Sequence, residues 1–111
     1  MPGTITLPVP VVEPDLDAYL HVHQDHGWKV ILFNDETTPF DVVIMALQRA
    51  AGLSIEVAEM VAWAAHAEGQ AVVKRGLDED DAKIICGGLR RWTRIEGLCP
   101  GVHCTAEPDS E

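Results

Sequence analysis

Five consecutive polar residues, Asn34-Asp35-Glu36-Thr37-Thr38, follow directly on the apolar run Trp28–Phe33. An amide oxygen beside a carboxylate is a pair of acceptors, and an acceptor that is ionised binds a cation about twice as strongly as a neutral one binds a neutral donor. Elsewhere in the chain, His66 can accept through the free nitrogen of a neutral imidazole. It shares a helical stripe with Ala58, Ala62, Ala65 and Gly69, all small. Small residues beside a polar group leave a concavity or allow helices to approach closely, and the polar run is equally the pattern of a solvated turn. Spacing alone does not choose. A second constellation is Cys99, His103 and Cys104, a C-x3-H-C group of the soft ligands that suit zinc. A structural site wants four ligands, adjacent His103 and Cys104 diverge on a strand, and Cys86 is distant in the chain. His21, His23 and His26 form a looser group on a segment with no frame to hold a metal. No motif ties a nucleophile to a base, so no catalytic residue, metal or cofactor is expected.

The elements that must hold these residues follow from periodicity. Trp28–Phe33 reads as a buried strand. Thr38-Pro39 reads as the start of a first helix, with Thr38 as N-cap, running from Pro39 to about Ala51 and ending at Gly52. Val43, Ala46, Leu47 and Ala50 give that helix its core face, and Phe40 with Ile44 a second stripe. A second helix starts at Ser54 and ends before Gly69, with Val57, Val61 and Ala64 as its expected core face. Gln70–Arg75 reads as a second strand. A third helix is capped by Asp78 and carries Ala82, Ile85, Leu89 and Trp92 on its apolar stripe. Gly87-Gly88 within it costs roughly 2 kcal/mol relative to alanine, so a kink or frayed turn is expected. Val102–Ala106 offers a third strand, after which the chain trails off. The order is β-α-α-β-α-β: an α/β (α+β) domain, a three-stranded open sheet packed with three helices.

Residues 1–17 hold four prolines and no helical period, so a flexible arm is expected over 1–26, a core domain over 27–107 and a tail over 108–111. One domain of 111 residues has room for a single core, and with 47% hydrophobic but only 5% aromatic residues that core is aliphatic. The net charge of −10 argues against nucleic acid and favours a cationic ligand or a basic partner. No apolar run is long enough to span a membrane, the N-terminus lacks a signal peptide's basic start, and three cysteines suit a reducing compartment. A cytoplasmic, monomeric protein is expected.

The words WKVILFNDETTPFDVV (28–43) resemble the signature of the ClpS family, small bacterial adaptors that bring proteins bearing N-degrons to the ClpA or ClpC unfoldases. MVAWAAHAEG (60–69) is similar to the family's helix ending in x-x-His-x-x-Gly. Asp81-Ala82-Lys83-Ile84 resembles its Glu-Thr-Lys-Val segment, and Cys104-Thr105-Ala106-Glu107 its closing Cys-Thr-x-Glu. The blocks are colinear over roughly 27–107, and the first is the most specific.

The resemblance implies a non-enzymatic adaptor that grips the free α-amino group and bulky apolar first side chain of a substrate. It carries amino-group binding onto Asn34, Asp35 and His66, and places Thr38, Phe40, Val43, Ala62 and Ala65 around the side-chain pocket. It puts Glu79 and Lys83 against the unfoldase's N-terminal domain. The chain departs from the family at four positions. Glu36 stands where Asp is usual and Phe40 where Met is common, while Ala62 and Ala65 replace a gatekeeping Met and a Val. These changes bear on which first residue is preferred. The alternatives are a metal or thiol protein using Cys99, His103 and Cys104, and a scaffold of the same fold without a pocket.

Overall fold

The computed structural model describes residues 27–109. The expected arm and the histidines at 21, 23 and 26 lie outside the described residues. The elements are β1 (Trp28–Phe33), α1 (Phe40–Ala51), α2 (Ile55–Glu68), β2 (Gln70–Leu77), α3 (Glu79–Thr93), β3 (Arg94–Ile95), β4 (Cys99–Pro100) and β5 (Cys104–Pro108). β1 is the central strand of an open antiparallel sheet ordered β2-β1-β5, and β3 with β4 forms a separate two-stranded hairpin. This is a small α+β domain in which three helices pack on the sheet. Val30 and Leu32 from β1 meet Leu47 of α1, Ala58, Ala62 and Ala65 of α2, and Leu89 of α3 in one core. Full burial of a side chain such as Leu47 or Leu89 contributes about 1.5–3 kcal/mol.

Local chemistry moved several expectations. Pro39, not Thr38, occupies the N-cap of α1, with no side-chain cap bond; the Thr38 hydroxyl instead donates to Asp35. Ser54 caps α2 as expected, its hydroxyl accepting from the Val57 backbone N–H at 3.2 Å. The core face of α2 is the small stripe Ala58, Ala62 and Ala65, whereas Val57 is exposed. Alanines let this helix lie close against the sheet, and the valines are turned to its flank and to solvent. Asp78 holds the N-cap position of α3 without a side-chain bond, and Trp92 at the end of its stripe is largely exposed beneath the Arg49 guanidinium.

The glycine pair does not break α3. A Cβ on Gly88 would lie 3.0 Å from the Ala50 Cβ, so the helix accepts the propensity cost and α1 gains a close approach. β2 continues through Gly76 to Leu77, and the last strand is shifted two residues later than expected. Its end does not trail off: the Asp109 backbone N–H donates to Gly27, and its carboxylate meets Arg75 at 2.6 Å and Lys29 at 3.6 Å.

The turn between β4 and β5 rests on Gly101, at φ 106°, where a Cβ would fall 2.8 Å from the Arg90 carbonyl oxygen. Just beyond it, the buried Thr93 hydroxyl donates to Leu89 O at 2.7 Å and accepts from Val102 N–H at 2.9 Å. Gly101→Ala therefore meets both a backbone clash and a left-handed conformation, each expensive for an L side chain. A loss of roughly 2 kcal/mol, or about 10 °C in Tm for a domain this small, is expected in a thermal melt.

Candidate functional site

The site begins where β1 stops. The Phe33 backbone N–H donates to His103 O at 3.0 Å, and the Asn34 N–H donates to Gly69 O at 2.9 Å. That second bond ties the exit of β1 to the turn that ends α2, three residues beyond His66. Gly69 reaches this position in the left-handed conformation, at φ 93°. The two segments that bear Asn34 and His66 are thus fastened to each other through the main chain.

Within the loop, Asp35 organises its own surroundings. Its Oδ1 accepts from Thr37 N–H at 2.9 Å and from the Thr37 hydroxyl at 2.7 Å, and its Oδ2 accepts from the Thr38 hydroxyl. Burial pushes the carboxyl up, but the donors Thr38 and Thr37 together outweigh it, and the group sits below its ordinary value of 3.8. A lowered carboxylate contributes stability that is complete above the unfolded value and is lost as pH falls through the folded one. Asp35→Ala is accordingly expected to melt earlier than the parent at neutral pH, with the gap closing under acid conditions below 3.8. A gap that did not change with pH would show that ionisation of Asp35 plays no part.

Asn34 is oriented by Glu36. The Asn34 Nδ2 donates to Glu36 Oε2 at 2.8 Å, and since a carboxylate only accepts, the amide oxygen is left as the acceptor. The longer arm of glutamate makes this reach across two residues.

These groups share one cavity of about 180 Å³. Asn34, Asp35 and His66 line it, together with all five residues expected around a side-chain pocket: Thr38, Phe40, Val43, Ala62 and Ala65. Leu32, Phe33, Glu36 and Val102 complete the walls. Phe33 and Glu36 flank the polar pair and were within reach of sequence reasoning. Val102 lies almost seventy residues downstream of Asn34 and is brought in by the Thr93 bond, for which the sequence holds no signal. Polar acceptors and small apolar side chains lining one cavity suit a ligand that is cationic at its head and apolar beside it. Glu79 and Lys83 are not part of this cavity; they pair with each other at 2.8 Å on the exposed start of α3.

Residues 23–105 match the model of a protein family described as ATP-dependent Clp protease adaptor protein ClpS. The chain belongs to the ClpS family. The ATP-dependent Clp protease adapter protein ClpS of Deinococcus radiodurans is 38% identical to it over 85 residues, 76% of this chain and 72% of that protein. Among solved structures, Agrobacterium tumefaciens ClpS2 bound to L-phenylalaninamide is similar with a TM-score of 0.60 at 29% identity, covering 76% of this chain and 98% of the other. ClpS proteins are adaptors of the Clp protease rather than catalysts, so an unfoldase-protease and its substrates are the partners of the family.

The thiol groups occupy other places than a metal site would need. Cys86, distant in sequence, has its sulfur 2.9 Å from that of Cys104, both buried, which corrects the expected separation. Burial first, then the neighbouring Cys86 thiol, push Cys104 up to about 12 against the opposing Arg90 charge, so it remains a protonated thiol at neutral pH. Cys99 donates to the Thr93 carbonyl, and the His103 ring packs on Phe33 with centroids 4.9 Å apart. Among the described residues no group of three or more His, Cys, Asp or Glu side chains converges to hold a metal. Nor is any helix among them long and apolar enough to cross a membrane.

Proposed function

We propose that this ClpS-family chain binds the free N-terminus of proteins that begin with a bulky apolar residue, and delivers them to a ClpA- or ClpC-type unfoldase for degradation. The observation that carries this reading is one cavity lined both by Asn34, Asp35 and His66 and by Val43, Ala62 and Ala65. An N-degron has that shape in reverse: an ammonium, charged at neutral pH, on the same carbon as an apolar side chain. Asn34 Oδ1, the Asp35 carboxylate and a His66 ring nitrogen accept from the ammonium, while Thr38, Phe40 and the small residues enclose the side chain. The ligand in the related ClpS2 structure, L-phenylalaninamide, combines the same two features. Fluorescence anisotropy with labelled peptides that differ only in their first residue tests the reading. Bulky apolar first residues are expected to bind and Gly, Ser or Asp to fail; indifference to the first residue would refute it.

Delivery requires a second face. Glu79 and Lys83, paired across one turn of α3 and well exposed, are the proposed contact with the unfoldase's N-terminal domain. The pairing holds Lys83 in its charged form, its hydrogen bond and attraction to Glu79 raising it above the usual lysine range. Exchanging the two charges, Glu79→Lys with Lys83→Glu, retains the pair but inverts the pattern offered to a partner. Pull-down of the unfoldase domain is expected to be lost while peptide affinity is kept. Loss of both activities, or of neither, would count against separate faces.

A further inference from the structure

Trp63 takes no part in the cavity, yet it stands at its mouth. The side chain is 59% exposed on α2, its ring is 4.8 Å from Phe40 at a tilt of 55°, and it is edge-on to His66 at 6.0 Å. Phe40 and His66 both line the cavity, so Trp63 packs against two residues of its wall. Glu59 and Ala67, one turn to either side on the same helix face, are exposed and leave the indole uncovered.

The charge around this ring has one sign. The loop 34–41 and the helix 54–69 contain no Lys or Arg, but hold Asp35, Glu36, Asp41, Glu56, Glu59 and Glu68. An exposed aromatic face beside carboxylates attracts a planar cation: the ring quadrupole draws the charge, and the guanidinium stacks flat.

We infer that Trp63, with Phe40 and Glu59, forms a second subsite that reads the side chain after the first residue of a bound peptide and favours arginine there. The inference rests on the proposed function, which sets the peptide's amino group beside His66. The next α-carbon then lies about 3.8 Å from the first, and an arginine side chain leaving it reaches a ring only 6.0 Å from His66. Aspartate or glutamate at the same position enters a region whose two segments carry six carboxylates and no basic residue to compensate.

The test is a set of Phe-initiated peptides carrying Arg, Lys, Ala or Asp in second place, titrated against the parent and Trp63→Leu. Thermal melts establish that the variant is folded. In the parent, Arg is expected to bind roughly two- to fivefold more tightly than Ala, with Lys between them and Asp weakest. In Trp63→Leu the advantage of Arg over Lys should vanish, because charge remains but the flat face is gone. Equal affinities for all four peptides in the parent, with a free amine still required, would overturn the subsite and leave the proposed function standing. An Arg preference unchanged in Trp63→Leu would equally overturn it. Loss of the free-amine requirement in the parent would remove the proposed function and the subsite together.

Discussion

Acetylating the amino group of a Phe-initiated peptide is expected to reduce its affinity by a hundredfold or more. The acetyl group removes a positive charge and two of the three N–H donors, and it adds bulk where Asn34, Asp35 and His66 line the cavity. The bond from Asn34 to Glu36 leaves the Asn34 amide oxygen as an acceptor, and Asp35 is ionised throughout the neutral range. A carboxylate has no proton to turn towards an amide carbonyl. Each unpaired acceptor forfeits about 1–3 kcal/mol, and the lost contact is charge-assisted, so a loss on the order of 3 kcal/mol is the lower bound. Anisotropy with paired free and acetylated peptides measures it directly. Equal affinities would sink the amino-group reading whatever the first side chain.

The second large effect concerns which first residue is preferred. Ala62 and Ala65 are 3% and 4% exposed and line the cavity, so their short side chains leave real space rather than a shallow surface. Phe40 borders the same space and also packs on Trp63, with ring centroids 4.8 Å apart. Phe, Tyr or Trp in first place is therefore expected to bind more tightly than Leu, which fills less of the space. Ala62→Met adds about three heavy atoms there, and at roughly 0.8 kcal/mol per buried methylene this shifts the preference for Leu over Trp by about 2 kcal/mol, some thirtyfold. The four affinities against parent and variant decide it. If Leu binds best in the parent and the substitution changes nothing, Ala62 does not shape the pocket.

The order and bounds of the main helices were legible because each carries its own punctuation: Gly52 and Gly69 end α1 and α2, and Ser54 starts α2. The residues that line the cavity were legible through family words, not through spacing, which allowed an ordinary turn equally well. What failed to show were competitions settled by tertiary structure. Thr38 had to choose between capping α1 and bonding Asp35, and nothing in the local sequence favours the second. The valines of α2 outrank its alanines in hydrophobicity, yet the alanines take the core because the helix lies close against α1 and β2. Cys86 and Cys104 meet because β5 returns beside α3, eighteen residues later in the chain. The hairpin β3–β4 is too short to leave a periodic trace.

The main-chain bond from Asn34 to Gly69 has a consequence for how such a protein diversifies. It joins the segments that bear Asn34 and His66 without using any side chain. Under the proposed function, the part that recognises what all N-termini share is tied together through the main chain, whichever side chains stand at 40, 62 and 65. Substitutions at positions 40, 62 and 65 then retune the clientele one step at a time, and no intermediate along that path has to relearn how to hold an amine.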